Sequence, residues 1–98
     1  MTTKIFTPGP TAALAATETT SRVALPGAGS QVRVVNSSEN MAFIQFGDSA
    51  VEATTGAIPL PAGLVEVFSN PLNTNSHVAA ICASGETASL YFTTGDGV

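Results

Sequence analysis

Fixed positive charge is almost absent from this sequence: Lys4, Arg22 and Arg33 stand against seven acidic residues, for a net charge of −4. Three cations cannot neutralise a run of phosphates, which argues against a nucleic-acid partner, and an anionic membrane would repel the chain. Tryptophan is missing, and tyrosine, histidine and cysteine occur once each, as Tyr91, His77 and Cys82. One cysteine rules out an internal disulfide framework, and no Cys/His spacing of zinc-site type is present. No apolar run approaches the ~18 residues needed to span a bilayer. Pro8 and Pro10 interrupt the N-terminal "MTTKIFTPGPTAALAA" before the apolar core of a signal peptide builds up, so export by that route is not expected.

What is present is an apolar chain with little charge to cover it. Ninety-eight residues, 44% apolar and 10% charged, make one small folded domain rather than a disordered segment. Soluble domains carry about 25% charged residues, so much of this exterior must be Ala, Thr, Ser, Gly and short aliphatics. Surface scaling has a chain of this size hide about two thirds of its surface on folding, which leaves a thin core. An uncharged exterior over a thin core suits being covered by a partner.

Period-2 alternation between Gly, Pro and Asn clusters recurs along most of the chain and predicts short strands joined by tight turns. Residues 1–19 are expected to form an extended arm containing a candidate edge strand, because "TAALAATE" is too short for a stable helix and follows two prolines. Residues 20–98 form the domain proper. Its strands are expected in "SRVAL", "QVRVVN", "MAFIQF", "GLVEVFSN", "HVAAICASG" and "TASLYFTTG", the last two joined through Ser84, Gly85 and Glu86 as a terminal hairpin. In "MAFIQFGDSAVEA" both faces carry bulk, Ala42, Ile44 and Phe46 against Met41, Phe43 and Gln45, so this strand is expected to be covered on both sides before turning at Gly47 and Asp48. "GAIPLP" holds Pro59 and Pro61, which confine it to an edge or a loop. The fold expected is all-β, an antiparallel β-sandwich of jelly-roll type with an extended N-terminal arm.

Residues able to do chemistry are few and scattered. Any general base would have to be His77, which opens a strand after the polar loop "NPLNTNS" and is expected to be solvated or backbone-bonded. Cys82, five residues on, falls on the opposite face of the same strand and is expected to be a buried, inert thiol. Asp48 and Glu52 lie four residues apart, but Gly-Asp in a turn is chosen for its backbone, and calcium needs more carboxylates than these. "LPGAGSQ" lacks the lysine of a phosphate loop and joins two strands, and "NSS" at 36–38 matches the glycosylation tripeptide without a secretion signal to support it. No catalytic, cofactor-binding or metal-binding residue is assigned, and an enzyme is not expected.

The ordered series "SRVALPGAGSQVRVVNSSENMAFIQFGDSAVEATTGAIPLPAGLVEVF" and "HVAAICASGETASLYFTTGDGV", spanning about residues 20–98, resembles a group of small proteins encoded among the head genes of tailed bacteriophages. The likeness rests on a strand ending in Leu-Pro-Gly, a Val-Arg-Val strand, a Phe-x-x-Phe-Gly-Asp-Ser segment, a Pro-rich stretch, a Val-Glu-Val-Phe strand and the closing Leu-Tyr-x-Thr-x-Gly run. The resemblance implies a structural virion protein: a capsid decoration, or cement, protein made in the bacterial cytoplasm. Its partner would be the major capsid protein, on the outside of the shell. The first expectation is therefore a shell-stabilising homo-oligomer, a dimer or trimer, with no catalytic residues. An alternative from another class is a carbohydrate- or receptor-binding sandwich of a head or tail fibre. The absence of tryptophan and the single tyrosine speak against that alternative, since sugar sites usually present aromatic platforms.

Overall fold

A computed structural model of the chain describes residues 7–27, 29–70 and 75–96, and these contain eight β-strands and no helix. The strands are β1 (Thr7–Ala16), β2 (Ser21–Ala24), β3 (Gln31–Asn36), β4 (Ala42–Gly47), β5 (Ile58–Leu60), β6 (Val65–Ser69), β7 (His77–Cys82) and β8 (Ala88–Asp96). They form two antiparallel four-stranded sheets, one in the order β1-β8-β3-β6 and the other β2-β7-β4-β5. We call these sheets A and B. Packed face to face they make the expected β-sandwich.

Strand alternation sends every second residue inward, and the inward set is the apolar one. Sheet A contributes Val32, Val34, Leu90 and Phe92, and sheet B contributes Ile44, Val78, Ala80 and Cys82, all at most 1% exposed. Phe92 is the largest fully buried side chain. At the open end of the sandwich Phe46 and Phe68 close the core with their ring centroids 5.6 Å apart and the rings tilted, a favourable aromatic arrangement.

Three expectations are corrected. From Thr7 onward the anticipated arm is a strand of the sandwich, paired with β8 from Thr7–Asp96 to Ala16–Ala88, so no boundary near residue 19 separates it from the domain. Residues 1–6 lie outside the described part. The terminal hairpin is absent: β7 belongs to sheet B and β8 to sheet A, and the turn at Ala83–Glu86, with Gly85 at φ 78°, carries the chain between the sheets. A short connection suits either arrangement. The choice is made by Leu90 and Phe92, which cover the core from the side opposite Val78 and Ala80. Finally, β4 is not enclosed on both faces, because Met41 is 41% exposed and Gln45 is also in solvent, with only Phe43 half-buried on the outer side.

The two outer faces differ. Register puts Ala79 on the outside of sheet B between Arg22 and Gln45, yet it is 0% exposed. The 48–57 loop covers it. Val51 packs onto Gly47, and the Ala53 N–H reaches the Thr20 hydroxyl at 2.9 Å, which takes the loop from β4 across β7 toward β2. On the outer face of sheet A, Tyr91, Val65 and Val67 stay 42–49% exposed.

Candidate interaction surface

Where His77 and Asp48 make side-chain hydrogen bonds, their partners are near neighbours in the chain. The His77 ring nitrogen Nδ1 sits 2.8 Å from the Ser76 hydroxyl, and its cross-strand neighbours are Ala24 and Gly47. Cys82 lies on the inner face of the same strand, paired with Ala42, 1% exposed and unbridged. Burial pushes its thiol above the ordinary value and the nearby Glu86 carboxylate adds to the effect, so the thiolate that a nucleophile needs is disfavoured. Asp48 is a turn residue: its Oδ1 accepts the Ala50 N–H at 2.9 Å and its carbonyl accepts the Val51 N–H at 3.1 Å. Glu52 is exposed beyond it, and among the described residues no three His, Cys, Asp or Glu side chains come together as a metal site.

The "NSS" asparagine has a structural task that the tripeptide pattern hid. Asn36 is 1% exposed; its Nδ2 donates to Asn40 O and Leu60 O at 2.9 Å each, and its Oδ1 accepts from the Ser38 N–H and hydroxyl. It ties the end of β3 to β5 in the opposite sheet. Asn70 does similar work in the following loop, donating to Asn75 O at 3.0 Å and accepting the Asn75 N–H at 3.0 Å. Sequence reasoning gave neither residue a role, since Asn beside Ser or Pro reads as turn chemistry.

What the fold does assemble is a flat, nearly uncharged surface on the outer face of sheet A. Register lines up Ala13, Tyr91, Val35 and Val65 across all four strands, a row about 14 Å long at the usual strand spacing. The next row is Thr11, Thr93, Arg33 and Val67, with the two threonine hydroxyls 2.7 Å apart. Val65 is 49%, Val67 43% and Tyr91 42% exposed, and with Met41 these are the large apolar side chains that the described residues leave in solvent. Arg33 is the only charged side chain in the two rows.

The cause lies in β6. One of its faces carries Val65 and Val67 and the other Leu64, Glu66 and Phe68, so alternation alone does not turn the valines outward. The Phe68–Phe46 contact decides it and turns both valines out. Large apolar side chains grouped on one face, rather than scattered singly, mark a surface that binds something. Comparison with family models, curated proteins and solved structures gives no match to this chain.

Proposed function

We propose that this protein is a structural virion component, a capsid decoration protein that docks on the outside of an assembled shell of major capsid protein and stabilises it. The observation carrying the proposal is the outer face of sheet A, where Tyr91, Val65 and Val67 stand exposed together. The sequence resemblance over residues 20–98 points the same way. So does the order of the strands: β1-β8-β3-β6 over β2-β7-β4-β5, with every connection except β4–β5 crossing between sheets, accords with the two Greek keys of a jelly roll.

Physically, a flat patch around Tyr91 with one cation gives modest affinity per contact. Repetition on a symmetric lattice supplies the rest, because each copy meets the same environment at every equivalent position and linked copies bind with avidity. The test is to mix purified protein with assembled heads and, separately, with unassembled capsid subunits, and to count copies per particle by mass spectrometry. Retention on heads in hundreds of copies, without binding to free subunits, is the expected result. A handful of copies, or clear hits on a glycan array, would move the protein to a fibre and to carbohydrate recognition through Tyr91; no retention at all would end the proposal.

A further inference from the structure

Of the four sheet edges in this sandwich, three carry a device that discourages pairing with another strand. β5 has three residues with Pro59 at its centre. β2 has four, and because Leu25 N–H donates to Ser76 O at 2.9 Å, the backbone it turns outward belongs to Arg22 and Ala24, the first of them cationic. β1 contains Pro8 and Pro10 and a register shift between Pro8 and Thr11, and just past its far end the Thr17 carbonyl is occupied by the Cys82 N–H at 2.8 Å. β6 has five residues without proline, cation or bulge, and its one charge, Glu66, is on the side it shares with Phe68, away from the outer valines.

The groups that β6 offers follow from its ladder. Asn36 N–H donates to Leu64 O at 2.9 Å and Asn70 N–H to Ser30 O at 2.6 Å, so the even-numbered residues of β6 face β3. Alternation then turns the N–H and C=O of Val65, Val67 and Ser69 away from the sheet. The other side of β3 agrees: Ser37 N–H donates to Ser89 O at 3.1 Å, which directs the odd residues of β3 to β8 and leaves the even ones for β6.

We infer that β6 pairs with β6 of a second copy, antiparallel about a two-fold axis through Val67, joining two copies of sheet A into one eight-stranded sheet. The three outward residues are spaced symmetrically about Val67, so Val67 meets the partner's Val67 and Val65 meets the partner's Ser69, and every outward donor and acceptor finds its complement. Charge permits the same register: Glu66, the only ionic residue of β6, lies opposite the partner's Phe68 and not opposite its own copy. Arg33 is three strand spacings, about 14 Å, from its copy. An isologous pair of this kind closes on itself and does not propagate into fibres. It also doubles the apolar outer face. For its purpose the pairing rests on the docking role proposed above, but its test uses no capsid, so either can fail without the other.

Cross-linking decides the register. In a hydrogen-bonded antiparallel pair the two Cα atoms across the axis are about 5.5 Å apart, within disulfide range. Val67→Cys is therefore expected to form a covalent dimer under mild oxidation. Val65→Cys, whose copy lies about 14 Å away along the strands, is expected to stay monomeric, and the buried native Cys82 contributes nothing to either. Val67→Pro adds an independent readout: it deletes only an outward N–H, so the ladder to β3 survives, and sedimentation should show a folded monomer where the parent shows dimer at high concentration. Equal cross-linking of Val65→Cys and Val67→Cys, no cross-linking of Val67→Cys, or identical sedimentation of the parent and Val67→Pro would each overturn the inference.

Discussion

Replacing Asn36 by alanine should damage the fold far more than its place in a polar turn suggests. The side chain makes four hydrogen bonds, two from Nδ2 to Asn40 O and Leu60 O and two into Oδ1 from Ser38. Each satisfied bond is worth about 1 kcal/mol net, and a buried acceptor left without a donor costs about 1–3 kcal/mol. Neither acceptor is left bare: the Asn40 carbonyl keeps the Ser38 hydroxyl at 3.2 Å, and the Leu60 carbonyl keeps the Ala42 N–H, since Pro59 has no N–H and Ala42–Leu60 is therefore a hydrogen-bonded pair of the β4–β5 ladder. Loss of the two Nδ2 bonds amounts to about 2 kcal/mol, a large share of the roughly 5–15 kcal/mol that holds a domain of this kind together. At about 4–8 °C per kcal/mol the melting temperature should fall by about 8–16 °C. Thermal unfolding followed by circular dichroism measures it, with Ser37→Ala as control. Ser37 is exposed, and its hydroxyl makes one long bond of 3.3 Å to Ser89 O, so the control should melt within about 2 °C of the parent. An Asn36→Ala protein that melted within about 4 °C of the parent would refute the reasoning.

Two further predictions concern the interior. Cys82 has a thiol raised by burial and by Glu86 from its ordinary value of 9.0, so the folded state keeps its proton to higher pH than the unfolded chain does. Stability from this group is therefore fully present below that value and lost as pH rises through it. The urea midpoint should fall more steeply between about pH 8 and 10 in the parent than in Cys82→Ala, and parallel slopes would remove the effect. At Gly29 an added Cβ would overlap the Gly95 carbonyl oxygen and lie 2.9 Å from two more backbone atoms of Gly95, none of which can swing aside. Gly29→Ala should cost about 1–3 kcal/mol, read as a lower urea midpoint; an unchanged midpoint would refute the close approach of Gly29 to Gly95.

Much of the fold is legible in the sequence. All six well-marked strand segments contain strands, and the two weak segments supply the edge strands β1 and β5. Pro59 placed β5 at an edge by the missing donor of its nitrogen, a local property that needs no knowledge of the partner strand. Sheet membership is a different matter, since the five-residue connection between Cys82 and Ala88 serves a hairpin or a crossing equally well. The candidate surface was legible only as an excess of uncharged exterior. Its location depends on which face of β6 turns outward, and Glu66, in phase with Leu64 and Phe68, points a reading of the sequence the opposite way, with the valines inside. Asn36 escaped notice for a related reason: its partners Asn40 and Leu60 are brought to it by the turn after β3 and by the opposing sheet, and no periodicity encodes them.

The central claim is that this protein works through the outer face of sheet A. Co-sedimentation with purified heads tests it most directly, comparing Tyr91→Lys on that face with Gln45→Lys on the outside of sheet B. Both positions are exposed, so both proteins should keep the parent's circular dichroism and melt within a few degrees of it. The account predicts that Gln45→Lys binds heads as the parent does while Tyr91→Lys loses at least about tenfold in affinity, the equivalent of about 1.4 kcal/mol. A Tyr91→Lys protein that decorates heads at the parent's concentration would contradict it.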